Sequence, residues 1–317
     1  MTVAALDFGG TTVKAGLVRA DGSVTDAWTL PAPVDRAGLD PIADRVRQWG
    51  ATERLLGVGV AVPGVVDASG SALVGVHGKS GAIAGVDLRG WVASHAGVSP
   101  HDCPVENDAR AALAGELVPG GAAAGASSAA LLIVGTGLGC AVAIDGRVLR
   151  GSHGYGGILG GHVTVRLDGP RCACGNVGCA EALAGSRALP ERARSHPGYG
   201  ASPLASLPAF GYRELVEAEA GGDPCARWLL DDCVRVWAAT LVTLVHVVDP
   251  DVLVLGGAPL AAAQLIVPRL EQLVDDHLWR GMPRPPLRVA RDPAFGVVRG
   301  LAAIVRSDAD RRQRSQE

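Results

Sequence analysis

Four residues that can ligate a metal lie close together in the second half of the chain. They are three cysteines and one histidine, namely His162, Cys172, Cys174 and Cys179. Three thiolates and one imidazole form a tetrahedral donor set that zinc takes in structural sites. Gly175 and Gly178 would let the backbone turn tightly enough for the cysteines to reach one ion. The spacing therefore predicts a zinc-bound loop, and the alternative is a group of buried cysteines packed as small apolar side chains.

A second group of candidate residues follows the first apolar stretch of the chain. It combines an acid with glycines, hydroxyls and a lysine: Asp7, Gly9, Gly10, Thr11, Thr12 and Lys14. A carboxylate at a strand end can hold Mg²⁺ through water, and the glycines would allow a triphosphate to approach closely. The same residues also suit an ordinary hairpin turn, so this pattern alone leaves both interpretations open.

Three polar residues, Glu106, Asn107 and Asp108, precede a stretch over 109–116 that we expect to be helical. Asn or Asp at this point is a good N-cap, which is the structural interpretation. In the functional interpretation, Asp108 takes a proton from an attacking hydroxyl and Asn107 binds a neighbouring hydroxyl. Phosphoryl transfer requires a positioned acceptor oxygen of this kind. The two roles are compatible.

Strands and glycine turns of one repeated type would position these groups. Residues 3–8 and 13–18 predict a hairpin, and residues 129–134 and 140–144 predict a second one. The second turn contains Gly135, Thr136 and Gly137, and a later apolar strand over 252–255 leads into Gly256 and Gly257. The repetition indicates two βββαβα-like lobes whose strand-end turns present backbone N–H groups to the phosphates of a nucleotide.

The remaining elements are read from apolar spacing and from breaking residues. Residues 57–62 predict a buried strand that ends at Pro63 and Gly64, and residues 228–246 predict a helix that stops before Pro250. A Gly- and Ala-rich segment over 119–128 is expected to be a loop, and a terminal helix is expected from about residue 300.

Composition excludes several classes of protein. The chain has 317 residues, 48% of them hydrophobic and 19% charged, with a formal net charge of −3. This balance favours a globular enzyme-sized fold without a nucleic-acid or membrane surface. We expect no signal segment before the first strand, and no apolar window reaches the length of a membrane span. The cysteines outside the zinc motif are scattered, so we expect reduced thiols and a cytoplasmic location.

The order of these motifs resembles that of the ROK family (repressors, open reading frames and sugar kinases). The matching segments cover essentially the whole chain: residues 7–14, 63–64, 107–108, 135–139, 172–181 and 256–257. The resemblance implies an α/β, actin-like ATPase (ribonuclease H-like) fold with two lobes and a cleft between them. We expect a small lobe over 1–110 and a larger lobe over 111–317 that carries the zinc loop. A terminal helix at about 296–312 would pack back on the small lobe.

Family membership also implies a reaction and its partners. ATP with Mg²⁺ would phosphorylate a hexose hydroxyl, with glucose as the leading sugar and a homodimer or tetramer as the assembly. Asp108 looks like the general base, while Asn107, His162, Glu181 and Gly64 match substrate positions, with His162 also a zinc ligand. The residues expected at the nucleotide are Asp7, Gly9, Gly10, Thr11, Thr12, Lys14, Gly135, Thr136, Gly137, Gly256 and Gly257.

Two positions depart from the family pattern. The family usually has Glu-X-Gly-His before the zinc site, and Leu159 occupies the place of that glutamate. A sugar hydroxyl buried against leucine would lose about 1–3 kcal/mol of hydrogen bonding. The family's sugar loop before Trp91 often contains Asn, which is missing here, and whether Asp87 takes its place stays open.

These departures keep other functions in view. One alternative is a kinase for another sugar, such as N-acetylmannosamine, fructose or allose, and a second is a catalytically weakened sugar sensor. A sugar-responsive repressor would need a helix-turn-helix ahead of the kinase-like domain, and only six residues precede Asp7. We therefore expect no direct binding to nucleic acid.

Overall fold

The computed structural model describes residues 1–67, 73–76, 81–292 and 294–315. The strands are β1 (Thr2–Phe8), β2 (Thr12–Val18), β3 (Val24–Pro31), β4 (Leu55–Val62), β5 (Gly64–Val66), β6 (Leu73–Val76), β7 (Val105–Asn107), β8 (Ala129–Val134), β9 (Leu138–Ile144), β10 (Arg147–Val148), β11 (Val252–Gly257) and β12 (Leu287–Val289). The helices are α1 (Asp40–Thr52), α2 (Leu88–Ala96), α3 (Asp108–Leu117), α4 (Ala180–Ala184), α5 (Leu189–Arg194), α6 (Tyr212–Ala220), α7 (Pro224–Val248), α8 (Ala263–His277) and α9 (Gly296–Arg314).

Two compact units make up the chain. The first contains Met1–Gly125, Arg147–Gly157 and Arg291–Glu317, and the second contains Ala126–Gly146 and Ile158–Ala290. In the described part of the chain, no helix has both the length and the hydrophobicity needed to cross a membrane.

The sheet of the first unit has the strand order β3-β2-β1-β4-β7. Strand β1 is antiparallel to β2 and parallel to β4, and β4 is parallel to β7. Strand β1 is apolar along nearly its whole length because both faces of the sheet are covered. On one face, Phe8 of β1 lies in a core cluster with Trp49 of α1. The other face packs with Val298 and Leu301 of α9.

The register of these parallel strands brings their polar ends to one edge. Asp7 pairs with Ala61, and Val62 pairs with Asn107. The carboxyl ends of three neighbouring strands therefore lie side by side. In open α/β sheets ligands bind at this edge, so the fold of the first unit gathers its candidate residues in one place.

The second sheet has the strand order β10-β9-β8-β11-β12. Its strands β9-β8-β11-β12 pair once antiparallel and twice parallel, as β2-β1-β4-β7 do in the first sheet. This topology confirms the predicted repeat of two strand–turn–strand units. Helix α7 is longer than the predicted 228–246 because Asp223 caps its start by accepting a bond from the Ala226 N–H. It ends before Asp249, which has a left-handed φ of 48° ahead of Pro250.

Helix α9 belongs to the first unit, where it packs on α3 and the central strands. Small residues allow this close approach, since a Cβ on Gly300 would lie 1.7 Å from the Ala111 carbonyl oxygen. The helix starts at Gly296, four residues before the beginning read from apolar spacing. The family resemblance, which gave about 296–312, located it more closely.

Candidate active site and metal centre

Of the two roles that the sequence gave to this segment, helix capping and proton removal, the structure assigns the capping to Asn107. Asn107 is the N-cap of α3, and its Oδ1 accepts bonds from the N–H groups of Ala109 (3.0 Å) and Arg110 (3.2 Å). Its amide nitrogen donates to the Gly64 carbonyl and to Asp108 Oδ1, both at 3.0 Å. Capping therefore falls to Asn107, and the Asp108 carboxylate at the first helical position is left for another task.

The half-buried Asp108 side chain has one occupied oxygen and one available oxygen. Oδ1 accepts bonds from Asn107 and from the Ala109 N–H at 2.8 Å. Among the described residues, no hydrogen bond reaches Oδ2. Burial raises the pKa of Asp108 to about 6, although the bonds from Ala109 and Asn107 oppose that rise. A fixed carboxylate with a free oxygen and this pKa suits a general base near neutral pH.

Asp7, at the end of β1, is a second perturbed carboxylate. Burial raises its pKa to about 7, the neighbouring Asp108 raises it further, and Lys14 opposes the shift. Asp108 is therefore close enough to Asp7 to influence its ionisation. Hard cations such as Mg²⁺ prefer carboxylate oxygen ligands, so the donor atoms here suit that ion.

In the turn between β1 and β2, some backbone groups are already hydrogen-bonded within the turn. The Gly9 N–H donates to the carbonyls of Asp7 (3.2 Å) and Thr12 (2.9 Å), so this amide is already used. Gly10 and Thr11 are exposed at the tip, and a Cβ on Gly10 would meet no described atom within 4 Å. Of this turn, the tip rather than Gly9 is open to a ligand.

The turn between β8 and β9 is fastened to the segment that follows the cysteine motif. The Leu138 N–H donates to Glu181 Oε2 at 3.0 Å, and the Ser186 N–H donates to the Gly135 carbonyl at 2.9 Å. A Cβ on Gly137 would lie 2.2 Å from Glu181 Oε2. A side chain at position 137 would therefore displace the Glu181 carboxylate from its bond with the Leu138 N–H.

Gly256 and Gly257 end β11 beside this turn. Gly257 pairs with Val134, the last residue of β8. Its φ is 103°, and a Cβ would lie 1.9 Å from the Val134 carbonyl oxygen, so only glycine fits. The glycines predicted at the nucleotide in this unit thus share one sheet edge.

The four predicted metal ligands come together in the second unit. The ligand atoms of His162, Cys172, Cys174 and Cys179 all lie within 4.8 Å of one another. Cys174 Sγ lies 3.7 Å from Cys179 Sγ, and Cys172 Sγ lies 3.6 Å from His162 Nδ1. A tetrahedral zinc ion with usual bond lengths would separate two sulfurs by about 3.8 Å and a sulfur from an imidazole nitrogen by about 3.6 Å. The residues therefore fit zinc in both donor type and spacing.

Glycine conformation makes this loop possible, as the sequence indicated. Gly175 has a φ of 95° and Gly178 a φ of 71°. A Cβ on Gly178 would lie 1.5 Å from the Arg166 carbonyl oxygen. Asn176 supports the cluster by donating to Thr164 Oγ1 at 2.8 Å and to Cys179 Sγ at 3.3 Å.

Leu159 precedes the short 3-10 helix Gly160–His162, and 44% of its surface is exposed. The segment is pressed onto β9, since a Cβ on Gly161 would lie 2.0 Å from the Leu138 carbonyl oxygen. Leu159 therefore presents an apolar side chain partly to solvent from a fixed backbone. Asp87, the other departure, caps α2 by accepting a 3.0 Å bond from the Gly90 N–H, so its carboxylate has a structural partner.

A buried ionic network beside Asn107 was not foreseen from the sequence. Arg110 and Glu106 are buried almost completely and form an ion pair at 3.2 Å, and Arg150 pairs with the second oxygen of Glu106 at 2.5 Å. One signal was available, namely an arginine set between Ala109 and Ala111 on a helix with little polar surface.

Known proteins resemble this chain over nearly its full length. A ROK family model matches residues 3–308. A glucokinase of Thermotoga maritima is 30% identical over 86% of this chain and 87% of its own length. An N-acetylgalactosamine kinase of a Shewanella species is 28% identical over 94% of this chain and 95% of its own length.

Solved structures give the same result for the fold. The ROK hexokinase from Thermus thermophilus has a TM-score of 0.81 and 31% identity, covering 98% of this chain and 99% of its own. A ROK family glucokinase from Streptomyces griseus, in complex with glucose and AMPPNP, has a TM-score of 0.79 and 26% identity, with 97% and 100% coverage. These likenesses confirm the predicted α/β, actin-like ATPase fold.

Proposed function

We propose that this chain, which belongs to the ROK family, is an ATP-dependent sugar kinase. The reaction would transfer the γ-phosphoryl group of ATP to a hydroxyl of a hexose, with glucose as the first candidate. Relatives named glucokinase in Thermotoga maritima and Streptomyces coelicolor support this choice. The ATP requirement fits the cytoplasmic location expected from the sequence, and a homodimer stays a prediction.

The observation that carries the proposal is the environment of Asp108. Its Oδ1 is held by Asn107 and by the Ala109 N–H, while Oδ2 is available to a substrate hydroxyl. Its pKa of about 6 leaves the carboxylate mostly ionised near pH 7 and still basic enough to accept a proton. We assign Asp108 the removal of the proton from the attacking hydroxyl as the bond to phosphorus forms.

Asn107 is assigned to orient this base. Its amide group makes two donor and two acceptor bonds within the protein, which is its full capacity. A direct bond to the sugar would require one of these to break. Gly64, whose carbonyl accepts one of the amide bonds, is proposed to lie at the substrate as the sequence predicted.

Asp7 and the exposed turn tip are assigned to the nucleotide of the first unit. Mg²⁺ bound with ATP would neutralise charge on the phosphates during transfer. Asp7 would hold the hydrated ion through its carboxylate, and Gly10, Thr11 and Thr12 would face the phosphates. Lys14, whose ammonium lies 3.5 Å from the Ala294 carbonyl, stays a predicted nucleotide contact.

The second unit is assigned a binding role. Gly135, Thr136, Gly137, Gly256 and Gly257 are proposed to contact phosphates or adenosine from the shared sheet edge. The cysteine cluster would bind a structural zinc ion through His162, Cys172, Cys174 and Cys179. The ion would fix the loop that leads into Glu181.

Glu181 and His162 are assigned to the sugar. Glu181 Oε2 is occupied by the Leu138 N–H, and among the described residues no hydrogen bond reaches Oε1. That oxygen is proposed to accept a bond from a sugar hydroxyl. His162 would combine its metal bond with a position at the sugar.

The identity of the sugar is the finer part of the proposal. Leu159 cannot accept the hydrogen bond that the family glutamate accepts. Relatives named for N-acetylgalactosamine, N-acetylmannosamine and kanosamine share 28% identity with this chain, so amino sugars are the second candidates. A sensor that binds sugar without turnover is the alternative that Leu159 favours.

A coupled assay of ADP release across a sugar panel tests the proposal. The panel contains glucose, mannose, fructose, allose and the N-acetylhexosamines, each with ATP and Mg²⁺. We expect sugar-dependent ADP release with at least one member and little release without sugar. Sugar binding by calorimetry without turnover on any member would overturn the kinase assignment and support the sensor.

A further inference from the structure

Arg110 is fully buried, and its guanidinium collects backbone carbonyls from one loop. Nε donates to the Leu149 carbonyl at 2.8 Å, and Nη2 donates to the carbonyls of Gly154 and Gly156, both at 2.7 Å. Nη1 donates to Glu106 Oε1 at 3.2 Å. A planar fork of five donors suits such a set of acceptors, and a lysine could not satisfy it.

We call residues 149–157 the glycine loop. Its backbone depends on left-handed glycines, with φ of 67° at Gly151, 80° at Gly154 and 77° at Gly157. Gly154 is buried against β5, where a Cβ would lie 2.1 Å from the Val66 carbonyl oxygen. The Arg110 guanidinium holds three backbone carbonyls of this loop, and the loop residue Arg150 adds an ion pair with Glu106.

The same network reaches the proposed base. Glu106 is 1% exposed, and its carboxylate forms ion pairs with both Arg110 and Arg150. The Nε of Arg150 donates to Glu106 Oε2 at 2.8 Å. Glu106 Oε1 also accepts a 2.9 Å bond from the Asn107 N–H. The loop contacts β5, and Gly64 at the start of β5 accepts the Asn107 amide. The glycine loop thus lies against both elements that hold Asn107 and Asp108.

We infer that Arg110 is a positioning residue that fixes the glycine loop as one side of the sugar site in the first unit. The loop exposes Ser152, His153 and Tyr155, with 44% of Tyr155 accessible. Hydroxyl, imidazole and phenol groups, with the apolar ring of tyrosine, match the alternating polar and apolar surface of a hexose. This inference rests on the proposed kinase function.

The test is the variant Arg110→Lys, assayed with the best sugar from the panel. Lysine keeps a positive charge beside Glu106 but cannot serve three loop carbonyls. We expect the sugar KM to rise at least tenfold while kcat stays within threefold and the ATP KM is unchanged, because Asp108 keeps its own bonds. Hydrogen exchange in a peptide covering residues 149–157 should become faster.

Arg306→Lys is the matched control. The Arg306 Nη2 also donates to two backbone carbonyls, those of Val18 (3.1 Å) and Arg19 (2.7 Å), outside the glycine loop. We expect its sugar KM and the exchange of the loop to match wild type.

Gly151→Ala changes the glycine loop directly, without altering Arg110. It tests the inference if Arg110→Lys does not fold. Alanine is strained at the φ of 67°, and among the described residues its Cβ would meet only Gly156 atoms, at 3.3 Å. We expect the same rise in sugar KM, with a combined variant no worse than the more severe single one, because both act through one loop.

An unchanged sugar KM in Arg110→Lys, or a loss of kcat at constant KM, would overturn the inference while leaving the kinase assignment intact. If Arg110→Lys is unfolded, an unchanged KM in Gly151→Ala would overturn it equally. A wild-type protein that turns over no sugar removes the proposed function, and this inference falls with it.

Discussion

The two sheets of this molecule share a topology and differ in what stands at the carboxyl ends of their strands. In the first unit, Asp7 is the last residue but one of β1, and β7 leads directly into Asp108, so two carboxylates with raised pKa values stand there. In the second unit, β8, the counterpart of β1, leads into Gly135, and β11, the counterpart of β4, ends in Gly256 and Gly257. One repeated framework therefore places ionisable groups in one unit and bare backbone in the other.

The two hairpin turns also differ in how firmly they are bonded to the rest of the protein. Gly10 and Thr11 at the tip of the first turn are exposed, and a Cβ on Gly10 would meet no described atom within 4 Å. The second turn is tied to the protein through Glu181 and the Ser186 N–H. The comparison teaches that the first unit offers ionisable groups suited to proton transfer, whereas the second offers a firmly held backbone beside the four potential metal ligands.

The largest effect is expected from Asp108→Asn. The variant keeps the shape of the side chain and removes the base, so kcat should fall by about 100- to 10,000-fold with sugar affinity within threefold of wild type. Asp223→Asn is the matched control, because Asp223 caps α7 in the second unit and should retain full activity. A near wild-type kcat in Asp108→Asn would refute the base assignment.

Cys174→Ser should release the metal. We expect elemental analysis to show about one zinc per chain in wild type and a large loss in the variant, since one of four ligands is replaced. Activity should fall because the loop leading into Glu181 loses its support. Cys225→Ser changes a buried thiol outside the cluster and should keep its zinc. Unchanged zinc content in Cys174→Ser would exclude that ligand.

Leu159→Glu restores the carboxylate that the family usually has. If the sugar is glucose-like, one regained hydrogen bond should lower the KM by roughly tenfold, in line with about 1–3 kcal/mol for a buried polar group. Leu159→Met keeps the apolar character and should leave the KM as it is. A higher KM in Leu159→Glu would mean that the substrate has no hydroxyl to donate there.

The pH dependence of kcat/KM should report the raised pKa of Asp108. The base works ionised, so activity is lost as pH falls through about 6, and at pH 5 it should be roughly a tenth of its plateau. The profile is measured from pH 5 to 8 at constant ionic strength. A profile that stays flat to pH 5 would contradict a base with this pKa.

The smallest effect contrasts the two turns directly. Gly137→Ala should lower the melting temperature by several degrees, because its Cβ would lie 2.2 Å from Glu181 Oε2 and the turn must shift. Gly10→Ala faces open space and should melt within about 1 °C of wild type, while its ATP KM rises if phosphates approach the tip. Equal melting losses would remove the distinction between the turns.

Local patterns in the sequence predicted the hairpins and helix α7, because apolar runs and breaking residues decide such elements. The sequence predicted the group of four potential metal ligands, whose ligand atoms the structure places within 4.8 Å of one another, because they stand in one short segment. The actin-like fold itself came from the resemblance to the ROK family. Spacing alone does not specify which strands pair.

Long-range contacts were beyond the sequence. The Arg110 network joins α3 to a loop about forty residues later. An arginine among alanines signals a charge that needs a partner, but it does not identify the loop that supplies one. The proximity of Asp7 to Asp108 depends on the register of β1, β4 and β7. The full use of the Asn107 amide likewise depends on the position of the Gly64 carbonyl.

Direct identification of the product tests the central claim most sharply. Wild-type protein is incubated with ATP, Mg²⁺ and the preferred sugar, and mass spectrometry quantifies ADP and sugar phosphate beside an Asp108→Asn sample. We predict one sugar phosphate for each ADP in wild type and almost none in Asp108→Asn. ADP without sugar phosphate, or equal product from both proteins, would contradict a sugar kinase whose base lies at the start of α3.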